Sequence, residues 1–340
     1  MGIIIDNYSA KLAFFIAFVS SAMSYGLLSY ATSLEILYLS VIPTAFQHGF
    51  LCAQAVAVNL FKDEEDRAAA LGRLTAAYYI GATIGPTLGG YLGTTKDYYF
   101  GAKLACLGSI LSCFLTLIGP GGSHKRRKSG DSDEENGENK NSSMLKGFRI
   151  AIASPKIRKL ISLKLLVSCG NGIIEAASPL ILKDTFGFNE QELGLYFSIK
   201  SLCSAIFSAF TSKPLWTSQS PKSTIEKCII IVGFGFLIQG ILLLFHLSAK
   251  YVIPLWLVSG IIASLASLIM AIFITTMTTS LMEANDRGSL LGLEHGIFSL
   301  SRILTPVIGV ALLKFGGPSD VGFACAIFSL FAFCVVDNTI

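Results

Sequence analysis

The chain has 340 residues, of which 52% are hydrophobic and 14% charged, with a net charge of +4 and a mean hydropathy of +0.64. Soluble domains average about 25% charged residues, so these proportions speak against a large water-soluble core, and the small net charge gives no case for nucleic acid. The eight cysteines (Cys52, Cys106, Cys113, Cys169, Cys203, Cys228, Cys325, Cys334) lie in apolar stretches without a Cys-x-x-Cys pair, as expected of small buried hydrophobes rather than of a disulfide framework or zinc site.

A helix needs about 20 apolar residues to cross the hydrocarbon core of a bilayer. Ten runs meet that length: Lys11–Thr32, Glu35–Leu60, Ala68–Gly93, Tyr99–Ile118, Leu160–Leu182, Glu190–Ser212, Lys227–His246, Tyr251–Met282, Ser289–Phe315 and Asp320–Val336. The first is too long for the core of a cleavable signal. Glycine and proline recur inside the runs, at Gly81, Gly85, Pro86, Pro179 and Pro306; membrane helices tolerate them because neighbours re-satisfy the freed backbone groups. One segment breaks the pattern. His124-Lys125-Arg126-Arg127-Lys128 is followed by Asp131-Ser132-Asp133-Glu134-Glu135 and then by asparagine and serine. Residues 120–158 are therefore expected to form a disordered loop, between helices at 1–119 and six helices at 159–340. The expectation is an all-α membrane protein with ten transmembrane helices, divided four and six.

Lysine and arginine in the loops set the orientation. With the N-terminus in the cytoplasm, the inner side holds Lys11, Lys62, Arg67, Arg73, the basic central loop through Lys159, Lys213, Lys222, Lys227 and Arg287, against Lys96, Lys103, Lys183, Lys250 and Lys314 outside. Ten spans return the C-terminus to the cytoplasm. Lys164, near the inner end of its run, is expected to snorkel.

The chain also repeats itself. Asp66-Arg67, Leu71-Gly72, Pro86 and Gly89 recur at one ungapped offset as Asp286-Arg287, Leu291-Gly292, Pro306 and Gly309. Both copies join a charged loop to a Gly/Pro-containing helix running the same way, so the repeat is parallel, a build known from transporters. The second copy falls in the fifth helix after the central loop and the first in the third helix of the chain. If the halves match, two helices are expected before Met1.

Gly81-Ala-Thr-Ile-Gly85-Pro86-Thr-Leu-Gly89-Gly90 resembles the fifth-helix antiporter motif of the major facilitator superfamily, and Gly2-x-x-x-Asp6-x-x-Ser9-x-Lys11 resembles its loop between helices two and three. Arg67–Gly93 and Arg287–Gly317 are similar to the organic-cation-transporter-like branch of solute carrier family 22, near the drug:proton antiporters that export tetracycline. The resemblance implies a major facilitator fold lacking its first two helices, and a monomer in the lipid bilayer. It also implies proton-linked antiport of small organic solutes (organic cations or drugs) by alternating access, with a proton gradient as energy source and no cofactor. Val41 stands where the fourth-helix arginine of such antiporters is expected.

Ionisable groups within membrane helices are expensive and therefore functional candidates. Glu175, with Asn171 one turn earlier, either faces a cavity and binds a cation or proton, or makes a structural hydrogen bond. Arg302 and His295 share a face beside Glu294; Arg302 should need a partner, as internal counter-ion or as anion-binding group. His48, with Gln47 and Gln54, could relay protons or serve as a hydrogen-bonded structural residue. Lys200 lies halfway through its run. Gly81, Gly85 and Gly89 form a smooth strip for close helix packing, with Pro86 and Gly90 beside them and Pro306 and Gly309 in the second copy; in the resembled family that strip also governs closure. Asp66 and Asp286 complement helix N-termini; by the resemblance Asp6, Asp66, Arg67, Arg73, Asp286 and Arg287 belong to a cytoplasmic gate. No phosphate-cradling Gly-x-x-x-x-Gly-Lys-Ser/Thr, nucleophile elbow or metal-spaced histidine pair occurs in the sequence, so neither an enzyme nor an ATP-driven pump is expected. A transport-inactive truncated membrane protein or a scaffold is the second reading.

Overall fold

The computed structural model describes residues 2–61, 63–95, 99–119, 149, 153–245, 248–283 and 286–337. Among them the regular structure is entirely helical: α1 (Gly2–Asn7), α2 (Ala10–Ser29), α3 (Leu34–Val41), a 3-10 turn (Ile42–Phe46), α4 (Gly49–Leu60), α5 (Glu64–Thr95), α6 (Phe100–Ile118), α7 (Pro155–Phe186), α8 (Glu190–Ser218), α9 (Pro221–Leu244), α10 (Ala249–Ser280), α11 (Arg287–Phe315) and α12 (Pro318–Asp337). Most of the central loop expected to be disordered over 120–158 lies outside the described residues, as do the side chain of Asp6 and the surroundings of Gly90, but its last four residues are helical, since α7 opens at Pro155 behind the Ser154 cap.

Helix ends follow local chemistry. Ser9, Ser33, Ser154 and Ser220 each accept a backbone N–H of the first turn, and Pro155 and Pro221 take the opening helical positions, where no donor is lost. Asn189 and Glu192 form a reciprocal capping box on α8. Gly187, at φ 72°, ends α7; its N–H reaches Lys183 O at 3.0 Å and that of Phe188 reaches Leu182 O at 3.1 Å, the paired closure that favours glycine.

Nine spans, among the described residues, are long and apolar enough to cross a membrane. They match nine of the ten expected runs. The tenth, α5, has 32 residues, about 48 Å of helix, but its glycines, threonines and Arg73 keep it below that apolar threshold. The second run differs from expectation: it is not continuous. Pro43 lacks an N–H and its ring crowds the preceding turn, so the helix tightens into the 3-10 turn and resumes at Gly49. Large side chains such as Ile118 (82% exposed), Phe210 (75%) and Phe315 (84%) face outward. Such an apolar surface is unsustainable in water and suits lipid.

Packing divides the chain into two compact units, residues 1–60, 91–153 and 282–293 in one and 61–90, 154–281 and 294–340 in the other. In the first, α2 pairs with α6, clipped at both ends: Lys11 Nζ donates to Leu117 O at 2.8 Å, satisfying a free carbonyl of α6, and Tyr99 OH donates to Ala31 O at 2.7 Å. In the second, α9 packs on α10 and α12, α12 on α7, and α10 on α7 and α8, around Leu163, Val167, Ile173, Phe236, Trp256, Phe273 and Cys325. Small residues allow the close approaches. A Cβ at Gly172 would lie 2.8 Å from Thr305 Oγ1, one at Gly309 3.1 Å from Ile173 O, and one at Gly322 2.6 Å from Gly240 Cα.

The glycine strip corrects the sequence reading. A Cβ at Gly81, Gly85 or Gly89 would meet nothing within 4 Å among the described residues. The side of α5 that approaches α8 is the adjacent one: Pro86 O would lie 3.1 Å from a Cβ at Gly194, and Ser198 Oγ bonds both Thr83 O and Thr87 Oγ1 at 2.7 Å. The smooth strip and the contact face of α5 are thus different surfaces.

Candidate functional site

A cavity of about 210 Å³ opens within the second unit. Its wall comprises Tyr79 of α5, Glu175 of α7, Phe197, Lys200, Ser201 and Ser204 of α8, and Ser264 of α10. Four helices thus each supply a polar group near mid-length. Lys200 Nζ lies 3.8 Å from Glu175 Oε1; the lysine is largely shielded, whereas the glutamate is 54% exposed. The pair is therefore loose, with the carboxylate presented to the cavity. Tyr79 OH lies within electrostatic range of both Glu175 and Arg302. One carboxylate, one ammonium, a phenol and three hydroxyls beside an aromatic ring can orient a small organic molecule, and the carboxylate can exchange a proton.

The other sequence candidates separate. Asn171 is absent from the cavity wall; its Nδ2 donates to Ser267 Oγ of α10 at 2.8 Å and to Val167 O at 3.1 Å. Arg302 is exposed on α11, and among the described residues it makes no ion pair. His295 is half-buried about two turns inside α11 and accepts Ser299 Oγ at its carbonyl. Gln47 and His48 sit at the break between the 3-10 turn and α4, where their N–H groups bond Thr44 O and Phe46 O; Gln54 is half-buried within α4. All three belong to the first unit. Pro306 is exposed on α11 and Pro86 on α5.

The expected gate arginines have backbone partners. Arg67, 1% exposed, donates from Nε and Nη2 to Phe61 O at 3.4 Å. Arg287 donates to Met282 O at 3.3 Å and to Val58 O, at the C-terminus of α4, at 3.2 Å. In both repeat copies the arginine thus ties the start of its helix to the carbonyl end of the segment before it. Arg73 is exposed, and Asp66 and Asp286 are half-buried. A Cβ on Gly2 would collide with Gly288 O, so α1 lies hard against the opening turn of α11 in the first unit.

One cluster escaped the sequence reading. Lys164 does not snorkel: it is 9% exposed and Glu294 1%, and Lys164 Nζ lies 2.6 Å from Glu294 Oε2. Lys164 Nζ also donates to Thr275 Oγ1 at 2.7 Å and stands 5.1 Å from the centre of the Phe298 ring; Thr278 Oγ1 donates to Glu294 Oε1 at 3.2 Å. The signal in the sequence was two opposite charges inside apolar runs, but 130 residues apart, and no local pattern joins them.

The sequence matches the family model described as Major Facilitator Superfamily over residues 1–225 and 165–336. It is 26% identical to human "Solute carrier family 67 member A1" over 320 residues, 92% of this chain and 73% of the relative. To mouse "Solute carrier family 22 member 18" it is 25% identical over 317 residues, 91% and 75% of the two chains. Its fold superposes on the crystal structure of the human organic anion transporter MFSD10 (TETRAN) with a TM-score of 0.78 at 15% identity, covering 98% of this chain and 79% of that one.

Proposed function

The chain belongs to the major facilitator superfamily, a multi-pass family of membrane transporters, and from that premise we propose that it exchanges small organic solutes, organic cations or drugs among them, for protons. The observation that carries this reading is the cavity: Glu175 is exposed to it and only loosely held by Lys200 at 3.8 Å. A carboxylate in that position can be neutralised by a proton or by a cationic group of the solute, but not by both at once, which makes the two ligands compete and so exchange. Tyr79 and Phe197 supply aromatic faces and Ser201, Ser204 and Ser264 supply hydroxyls, a lining of the mixed kind that binds small molecules. The antiporter-like Gly81–Gly90 stretch supports antiport over symport. Alternating access then exposes the cavity to each side in turn. The loop charges support cytoplasmic termini, and the energy source is the proton gradient, with no cofactor.

The test is flux in proteoliposomes holding the purified full chain, with tetracycline and ethidium as probes. A pH gradient should drive accumulation of at least one probe, an ionophore that collapses the gradient should stop it, and Glu175→Gln should abolish it. Flux indifferent to the gradient would refute proton exchange; no flux of either probe would refute the reading as a drug transporter.

A further inference from the structure

The Lys164–Glu294 pair lies outside the solute cavity, and a bilayer protein gains little from it. Burying two charges costs more in desolvation than apolar residues of the same volume would, and within a membrane the cost is higher still. Its surroundings suggest a use. Each member has a second partner that does not depend on the pair. Lys164 keeps the Thr275 hydroxyl at 2.7 Å and the Phe298 ring at 5.1 Å; Glu294 keeps the Thr278 hydroxyl at 3.2 Å. They also satisfy donors and lone pairs that the ion pair itself leaves over. These second partners hold the lysine if the carboxylate loses its charge, and the hydroxyl of Thr278 can turn to accept from a protonated carboxyl.

The cluster is also joined to the cavity. α7 and α10 run antiparallel with polar residues meeting in register: Glu175 and Ser264 in the cavity wall, Asn171 bonded to Ser267 at 2.8 Å, and Lys164 bonded to Thr275 at 2.7 Å. On α7 these fall at 164, 171 and 175 with Ser168 between, one helix face at i, i+4, i+7 and i+11. The seam runs about 16 Å along the helix, from the buried pair to the exposed carboxylate, between side chains that are otherwise apolar.

We propose that Glu294 is a second proton-carrying group of the transporter, with Lys164 as its counter-charge, linked to the solute cavity by the α7–α10 polar seam; this rests on the proton-exchange reading above. One proton adds to the Glu294 carboxylate, the Lys164 N–H···Oε2 ion pair breaks, and Lys164 keeps its own protons and charge on Thr275 and Phe298. The cluster passes from neutral to a single positive charge, and release of the proton reverses each change. Glu294 contacts Lys164 from α7 and the non-titrating Thr278 from α10, Thr275 being bonded to Lys164; on α11 itself its chain neighbour is His295. The positive charge created on protonation repels cations along the seam, which ties occupancy of the cavity to the state of Glu294.

The experiment compares the unsubstituted chain, Glu294→Gln and the double variant Lys164→Met/Glu294→Met in proteoliposomes, with tetracycline and ethidium as probes. Two fluxes are read: uptake driven by a pH gradient, and probe-for-probe exchange at equal pH. The double variant removes both charges, so it stays foldable if the single one does not. We expect both variants to keep exchange within a few-fold and to lose gradient-driven uptake by about 10²-fold, the scale of a missing proton-transfer group. Full gradient-driven uptake by the double variant would overturn the assignment of Glu294 while leaving proton exchange standing. Wild-type uptake that ignores the gradient would overturn both, and so would a wild type that moves neither probe.

Discussion

Replacing Lys164 by methionine tests the buried pair as a structural element, separately from transport. Methionine matches the lysine stem in length and keeps the apolar contacts of a side chain that is 9% exposed. What it removes is the 2.6 Å contact to Glu294 Oε2 and the 2.7 Å donation to Thr275 Oγ1. The glutamate, 1% exposed, is left with Thr278 alone. Orphaning one member of a buried pair costs about 3–5 kcal/mol. At about 2–4 °C per kcal/mol for chains of 150–250 residues, and somewhat less for a longer one, the melting point should fall by about 6–15 °C. The double variant Lys164→Met/Glu294→Met leaves no orphan charge and should recover most of that loss, because well-packed apolar replacements of buried pairs are neutral or stabilising. The assay is thermal unfolding in mild detergent, read by tryptophan fluorescence or by thiol labelling of the buried cysteines. A Lys164→Met protein melting with the wild type, or a double variant no better than the single one, would refute the reasoning.

Three further outcomes follow from particular contacts. Glu175→Gln should remove gradient-driven uptake while moving the melting point by less than about 2 °C, because an exposed and loosely paired carboxylate adds little to stability; a large melting shift would mark it as structural. Gly322→Ala should cost about 1–3 kcal/mol by overpacking, since its Cβ would lie 2.5 Å from Gly240 N, whereas Gly85→Ala, with open space around it, should leave the melting point within about 1 °C; equal effects would contradict the packing of α9 on α12. Asn171→Ala should cost about 0.6 kcal/mol, the mean for a polar contact between membrane helices, and a loss several times larger would show that the seam with Ser267 is a major tie rather than a rung.

Hydropathy made the helices legible because one requirement, a long run of apolar residues, is written contiguously in the chain. Ser154-Pro155 and Ser220-Pro221 carry helix-start chemistry, but the hydropathy runs begin only at Leu160 and Lys227, because the first turns of α7 and α9 are polar. The break at Pro43 was readable too, but hydropathy averages across it. The contacts between helices were not legible. Glycine spacing at 81, 85 and 89 puts three small residues on one side of α5, yet nothing local says which face meets α8, and the structure places Thr83, Pro86 and Thr87 there. Glu175 and Lys200 drew attention as charges in apolar runs, and they share a cavity wall. Tyr79, Phe197, Ser201, Ser204 and Ser264 did not, because tyrosine, phenylalanine and serine are ordinary residues of membrane helices. Lys164 was misread because snorkelling was weighed from its depth alone, without knowing that α11 would bring Glu294 to within 2.6 Å.

Exchange of solute for proton through one machine is reciprocal, since two ligands that couple must each drive the other. The most direct measurement is therefore the reverse experiment. Proteoliposomes of the full chain are loaded with tetracycline or ethidium at equal pH on both sides, diluted into solute-free buffer, and followed with a pH-sensitive dye trapped inside. Outflow of the solute should acidify the interior as protons enter in exchange, with no such change in protein-free vesicles or with Glu175→Gln. Solute leaving through the protein without any movement of protons would contradict the account.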